Sequence, residues 1–450
     1  ISFEEIEVES LLIKNILNDI NYEKKINQNL KRNMPACIIY TSGTTGNPKG
    51  VILSHGGILS NCEGAVELLG PLIKKKSPIF LTWLPLSHSY EHTVQFIQII
   101  VGAKIFYAES LEKLISNMVI AKPTIMTAVP RFYQNLFTKI NMNFEKQTGI
   151  KKRLINNTIK LGTKLLNKEK FNISEKVINF FCNILVRKKI QKQFGGNLQA
   201  FVSGGGALDK KIGEFLNAIG LPTLQGYGLT EASPVVSCNL PELVKVDTVG
   251  PPFRTNKVKI AADGEILIKG ENVMLGYWNN IDETNKVIKN EWLHTGDIGE
   301  VDKNGYLKIT DRKKDIIVNS GGDNLSPQRV EGFLTLEPEI LQAMVYGDKK
   351  SHIVALIIPD KDFLNEWGEK TGNDANIKTL DEDEFRKEIS AAVERVNNNL
   401  SVIEKVRRFH ISFDEFTVEN EMITPTLKVR RHKIIEKYHS ELENLYLNKS

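Results

Sequence analysis

One segment constrains this chain more than any other: Thr41-Ser42-Gly43-Thr44-Thr45-Gly46-Asn47-Pro48-Lys49-Gly50. The apolar run Ala36-Cys37-Ile38-Ile39-Tyr40 leads into it and reads as a short buried strand. Gly43, Gly46 and Gly50 let the backbone approach an anion closely, and the hydroxyls of Thr41, Ser42, Thr44 and Thr45, with the Lys49 ammonium, can donate to phosphate oxygens. A strand feeding such a loop is a common phosphate cradle. It is not a Walker A loop, because Pro48 precedes the lysine and Gly50 follows it, where that loop needs Gly and Ser or Thr. A merely flexible Ser/Gly turn is the competing reading of the segment taken alone.

The rest of the chain fits an α/β layer arrangement. Phe80–Leu84 and Gly102–Tyr107 look like strands with helical segments between them, and Ala200-Phe201-Val202 is a strand ending in Ser203-Gly204-Gly205-Gly206. Further on, Glu265–Lys269 is a strand after the Asp263-Gly264 turn. Asn304-Gly305 predicts a hairpin between Ile298–Val301 and Tyr306–Thr310. The charged run Asp311–Asp315 separates this part from a smaller α+β segment. We therefore expect a large domain at 1–313, with a helical insert at about 134–195, and a small domain at 314–450. The last helix should begin near Arg431, with Ile434, Ile435, Tyr438 and Leu442 on one face. Residues 1–34 are polar, with a weak helical pattern from Ile6 to Ile20. A chain of 450 residues with 41% hydrophobic content exceeds one compact domain.

No apolar run reaches the ~18 residues a spanning helix needs. Cys37, Cys62, Cys182 and Cys238 are far apart, which fits reduced thiols in a cytoplasmic protein better than disulfides or a zinc site. The first residue is Ile1 rather than Met, consistent with a fragment of something longer. Net charge is +5, yet residues 151–192 hold 12 Lys plus Arg against 2 Glu. Ile178, Phe181, Leu185 and Phe194 fall near one helical face of that stretch, with Lys and Arg on the other. Either the basic face is simply solvated, or it meets an anionic membrane surface at the inner face of the bilayer. Nothing points to nucleic acid.

Two further segments carry chemistry. In Gln225-Gly226-Tyr227-Gly228-Leu229-Thr230-Glu231, the Tyr227 ring can lie on a flat ligand, Thr230 can donate to phosphate, and Glu231 can hold Mg²⁺. A buried aromatic in a turn is the bland reading. In Trp292-Leu293-His294-Thr295-Gly296-Asp297, the carboxylate can accept from two neighbouring hydroxyls.

Together with Tyr40–Gly50 and Thr424-Pro425-Thr426-Leu427-Lys428, these segments resemble, in order, the adenylate-forming superfamily of acyl-CoA synthetases, luciferase-like enzymes and peptide-synthetase adenylation domains. The resemblance runs from about residue 36 to about 435. It implies an α/β fold with a large multi-subdomain part, N-terminally incomplete here, and a small mobile α+β lid. The nucleotide would meet Thr41, Ser42, Gly43, Thr44, Thr45, Gly46, Lys49, Gly205, Gln225, Gly226, Tyr227, Gly228, Thr230, Asp297 and Arg312. Among these, Tyr227 and Gly205 would border adenine, Asp297 and Arg312 the ribose. Glu231 would hold Mg²⁺, with Thr41 as a second contact. Lys428, Lys49 and Glu231 would be catalytic, Lys314 the hinge, and His88 and Gly228 part of the acid pocket, His88 more as wall or gate than as base.

The implied reaction uses ATP, Mg²⁺ and coenzyme A. A carboxylate attacks the α-phosphate and expels pyrophosphate; a thiol then takes the acyl group and releases AMP. After the first step the lid would turn, presenting Asn319–Asn324 instead of Lys428. Thr124–Tyr133 and the insert between Tyr133 and Gly195 resemble the long-chain branch, so fatty acid and CoA are the expected partners. Transfer to a carrier protein, or a truncated chain that binds nucleotide or lipid without turnover, are the alternatives. Relatives carry well over a hundred residues before the phosphate loop, where here 40 precede Thr41. The expectation is an incomplete lobe, affecting the dimer contacts that some relatives make.

Overall fold

The computed structural model describes residues 29–41, 48–313, 316–371, 382–424 and 429–447. The strand ahead of the glycine-rich loop is β1 (Pro35–Thr41). It pairs antiparallel with β2 (Lys49–Ser54), which sets Thr41 opposite Lys49. Contrary to expectation, β1 is not a buried strand: Ile39 is buried, but Ile38 and Tyr40 are exposed. It is the edge of a three-stranded sheet, and alternate side chains of an edge strand face away from the core.

Six strands form the sheet that positions the site: β3 (Ile79–Thr82), β4 (Lys104–Tyr107), β5 (Ile125–Ala128), β6 (Ala200–Ser203), β7 (Thr223–Gly228) and β8 (Val235–Cys238), in the order β4-β3-β5-β6-β7-β8. The first five run parallel and β8 returns antiparallel to β7. Parallel strands need apolar cover on both faces, and β5 is buried at all four positions. One face is covered by α1 (His55–Ile73) and α2 (Ser89–Ile100), through Ile58, Cys62, Val94 and Ile97 against Phe80, Ile125 and Leu224. The Ser54 hydroxyl caps α1 by accepting from the Gly57 amide at 2.9 Å. Helices α3 (Leu114–Ala121) and α4 (Pro130–Glu145) lie on the other face, where Met118 and Tyr133 meet Phe201.

The insert continues with α5 (Gly149–Leu166), α6 (Ile173–Cys182) and α7 (Lys188–Gln193), the last two joined by a π-turn over Asn183–Arg187. The single face expected for Ile178, Phe181, Leu185 and Phe194 divides. Phe194 is buried with Cys182, Val186 and Ile190, whereas Ile178, Phe181 and Leu185 are exposed. The extra residue in the π-turn shifts the helical register between them. Arg187 belongs to no solvated basic face either. It is 6% exposed and donates to Ala218 O at 2.8 Å, Asn179 Oδ1 at 2.8 Å and Thr158 O at 3.0 Å. Helix α8 (Lys210–Ala218) completes this side of the sheet.

A third sheet contains β9 (Asn256–Ile260), β10 (Glu265–Gly270), β12 (Ile288–Lys289), β13 (Trp292–Val301) and β14 (Leu307–Arg312). Between them lie β11 (Gly276–Tyr277), which adds to β2, and α9 (Ile281–Val287). The Asn304-Gly305 turn closes the β13–β14 pair, with Gly305 at φ +79° and the Asp302 carboxylate accepting from the Asn304 and Tyr306 amides. That register puts Asp297 directly opposite Arg312.

The smaller C-terminal part holds the hairpin β15 (Ile317–Val318) and β16 (Asn324–Leu325), and the sheet β17 (Ile340–Tyr346), β18 (Ile353–Pro359) and β19 (Val406–Ile411). Helices α10 (Pro327–Leu334), α11 (Lys361–Thr371) and α12 (Glu382–Asn397) cover one face, and α13 (Arg431–Leu447) the other. As the sequence pattern requires, α13 turns Ile434, Tyr438 and Leu442 inward, each buried. The weak pattern at Ile6–Ile20 lies outside the described residues.

Candidate active site

Ligands of open parallel sheets gather at the carboxyl ends of the strands. Here the residues following β3, β6 and β7 converge on one cavity. From those strand ends come His88, Gly205, Gly226, Tyr227, Gly228 and Thr230. The rest of the lining is largely apolar, with Phe80, Val94, Ile97 and Phe253 lying between the sheet and helices α1 and α2.

Local chemistry explains each polar member. His88 caps α2, its Nδ1 accepting from the Tyr90 amide at 3.2 Å. The hydroxyls of Ser89 and Thr230 lie 3.0 Å apart, tying the start of α2 to the turn after β7. Gly205 has φ +80°, a conformation side chains rarely adopt. At Gly228 space decides: a Cβ there would sit 2.2 Å from the Pro234 carbonyl oxygen. Gln225 behaves differently. Its side chain accepts from the Leu208 amide at 2.6 Å and donates to Thr248 O at 3.2 Å, and its carbonyl oxygen accepts from the Asn239 amide at 2.9 Å, so Gln225 is engaged within the sheet while Gly226 lines the cavity.

Two polar clusters flank the cavity. In the first, the Tyr227 hydroxyl donates to Asp297 Oδ2 at 2.6 Å, and Arg312 Nε lies 3.1 Å from Asp297 Oδ1. Asp297 is 6% exposed, so these partners matter for keeping a carboxylate there. Burial, reinforced by Asp297, holds the Tyr227 phenol well above its ordinary pKa, so it stays a donor. The residues come from β7, β13 and β14, and strand pairing brings them together.

The second cluster joins Lys49 to Glu231. Lys49 pairs with Glu283, and its Nζ lies 5.1 Å from the centre of the Tyr277 ring. The Tyr277 hydroxyl donates to Glu231 Oε1 at 2.9 Å. Burial, then Glu231, pushes that phenol upward too. Sequence reading missed Tyr277 and Glu283. The local signal for Tyr277 was faint, a Gly-Tyr step in a two-residue strand, and the β2–β11 pairing that places it beside Lys49 is long-range. Ser42, Gly43, Thr44, Thr45, Gly46, Lys314 and Lys428 lie outside the described residues.

A divalent cation fits this second cluster only in company. Among the described residues no group of three or more His, Cys, Asp or Glu could hold a metal ion. Mg²⁺, however, is commonly held by one or two carboxylates plus substrate phosphates. Glu231, in contact through Tyr277 with the environment of Lys49, suits that mode.

A family model for AMP-binding enzymes matches residues 3–278, and one for the AMP-binding enzyme C-terminal domain matches residues 314–450. The chain belongs to the AMP-binding enzyme family, the adenylate-forming enzymes. Among its relatives are long-chain-fatty-acid–CoA ligases. The long-chain-fatty-acid–CoA ligase FadD15 of Mycobacterium tuberculosis is 33% identical over 93% of this chain and 70% of its own length. Long-chain-fatty-acid–CoA ligase 5 of Mus musculus is 32% identical over 93% of this chain and 64% of its own. The chain thus spans roughly two thirds of these proteins.

Among solved structures, the adenylation domain of a carboxylate reductase from Mycobacterium chelonae superposes with TM-score 0.68 at 22% identity, covering 93% of this chain and 61% of that one. O-succinylbenzoate coenzyme A synthetase of Bacillus subtilis, solved with ATP and magnesium ion, gives 0.62 at 21% identity, covering 90% and 70%. At these identities the likeness establishes the fold: a mixed α/β large part and a smaller C-terminal part.

Proposed function

We propose that this chain performs the ATP-dependent activation of a long-chain fatty acid to its acyl-adenylate, then transfers the acyl group to CoA, releasing AMP and pyrophosphate overall. The observation that carries this reading is the shared wall of the cavity. Its apolar lining, suited to an alkyl chain, ends on Gly228 and Thr230, beside Tyr227 and the Asp297–Arg312 pair. A carboxyl group at the end of such a chain would meet a nucleotide there. The names of the relatives support the same substrate class.

Both reactants of the first step are anions, so the protein must hold cations and exclude water. In this reading Tyr227 and Gly205 flank the adenine and Asp297 accepts from the ribose hydroxyls, with Arg312 fixing its carboxylate. Thr41, Lys49 and the loop Ser42–Gly46 would meet the phosphates, to which Thr230 would donate. Glu231 and Thr41 would hold Mg²⁺ jointly with phosphate, and that ion would supply charge neutralisation. Lys428 adds a second cation from the small domain at 314–450, which pivots about Lys314 relative to residues 1–313. His88 and Gly228 shape the acid end of the pocket. The setting we assign is the cytoplasm, at the inner face of the membrane where fatty acid is met.

ATP–pyrophosphate exchange tests the first step. Exchange should depend on added fatty acid across a panel of chain lengths, and thioester should appear when CoA is supplied. Acid-independent hydrolysis of ATP to ADP would sink the reading. Acyl transfer to a carrier protein but not to CoA would keep the adenylation and replace the acceptor.

A further inference from the structure

Helix α6 and the π-turn behind it carry apolar side chains on two sides. The inner side, Cys182, Val186 and Ile190, is buried and packs with the insert and α8. Among the described residues the outer side is left exposed. Ile173 is 83% exposed, Val177 53%, Phe180 60%, Phe181 50%, Ile184 39% and Leu185 44%. Spacings of three and four residues stack them along one face. Single exposed apolar residues are ordinary, but six on one short helical face form a contiguous patch that water does not favour.

The charges around that patch are predominantly positive; Glu175, in the first turn of α6, is paired with Lys164. Lys176, Lys188, Lys189 and Lys192 are exposed, and residues 176–193 contain no Asp or Glu. Farther back, Lys168 and Lys170 are exposed as well, with the exposed Glu169 between them. An apolar protein partner would require no such rim. An anionic bilayer requires both features: hydrocarbon for the Phe and Ile side chains, and acidic headgroups for the lysines. No helix among the described residues is long and apolar enough to cross a membrane, and an amphipathic basic helix suits the interface. The seat is firm, because the three Arg187 hydrogen bonds tie the π-turn to α5, α6 and the end of α8.

We propose that the outer face of α6 and its π-turn is a docking surface for anionic lipid bilayer, inserting Phe180, Phe181 and Ile184 below the headgroups while Lys188, Lys189 and Lys192 face the lipid phosphates. The surface deepens the fatty-acid reading, since it would hold the enzyme where its acid partitions, and it rests on that reading only for its purpose. Vesicle binding needs neither ATP nor acid, so it fails or succeeds apart from pyrophosphate exchange.

The test is co-sedimentation of the full chain with phosphatidylglycerol–phosphatidylcholine vesicles and with phosphatidylcholine alone, at low and high salt. Two variants are compared with wild type. One combines Lys188→Gln, Lys189→Gln and Lys192→Gln, leaving the buried Arg187 in place. The other combines Phe180→Ser, Phe181→Ser and Ile184→Ser. All six side chains are exposed, so both variants should keep the wild-type near-UV circular dichroism and melting temperature. Wild type should bind the anionic vesicles and release them as salt rises. The lysine variant should lose on the order of 100-fold in partition coefficient at low salt, and the apolar variant at least about 10-fold at either salt. Failure of wild type to bind, or binding of both variants like wild type, would overturn the proposal. So would a wild-type dimer that the apolar variant converts to monomer with no vesicle binding, which would assign the face to a second copy of the chain.

Discussion

Glu91 sits at the first turn of α2, three residues past His88, and none of its surface is exposed. Its Oε2 accepts from the Thr127 hydroxyl at 2.8 Å, and Thr82 offers a second hydroxyl, itself held by Gln98 at 3.0 Å. Hydroxyls are weak compensation for a charge taken out of water, and burial raises the carboxyl from 4.5 to about 7. The sign follows directly. Between about pH 4.5 and about pH 7 the folded chain keeps a proton that the unfolded chain has released. This stability term is fully present below about 4.5 and is lost as pH rises through about 7. At about 1.4 kcal/mol per pH unit, the loss amounts to about 3 kcal/mol. Glu91→Gln keeps the shape and an acceptor for Thr127 but cannot ionise. Urea unfolding followed by tryptophan fluorescence, at a series of pH values, should show wild type losing about 3 kcal/mol more than the variant across this window. Parallel curves for the two proteins would refute the reasoning, because they would mean that Glu91 ionises alike in both states.

Four more substitutions test the geometry. Asp297→Asn removes a charged acceptor from Tyr227 and Arg312 and should raise the KM for ATP by about 10- to 100-fold, whereas Tyr227→Phe, which keeps the ring, should raise it only about fivefold. Glu283→Gln frees Lys49 from its ion pair, so the KM for ATP should fall by a few fold; a rise would show instead that Glu283 holds the lysine in its working position. Glu331→Gln leaves the largely buried Arg431 guanidinium without its carboxylate, which also accepts from the Val345 amide, and should cost about 3 kcal/mol in urea unfolding of the C-terminal part.

Much of the fold was legible because its signals are local. The Asn304-Gly305 turn, the strand at Ala200–Val202 and the inward face of α13 each depend on a few neighbouring residues. What escaped depends on pairing across the chain. β1 read as buried because its composition is apolar, and its edge position depends on β2 and β11. Arg187 read as one basic residue among many, and its burial depends on carbonyls offered by α5 and α8. The insert's apolar residues read as one face, since no sequence period reveals a π-turn. Gln225 lies inside a segment whose backbone borders the cavity, yet its side chain is turned to Leu208 and Thr248.

The candidate site divides along the same line. Glycines, Tyr227 and Asp297 stand out because their residue types at that spacing already suggest chemistry. Tyr277 does not, although it bridges the Lys49 ammonium and the Glu231 carboxylate through its ring and its hydroxyl. Its place follows from β11 adding to β2, next to the strand that begins at Lys49. If a phosphate drew Lys49 from Glu283, the ring would lose its cation while the hydroxyl still held Glu231. The sheet pairing, not the loop sequence, sets the distance between the two charged groups.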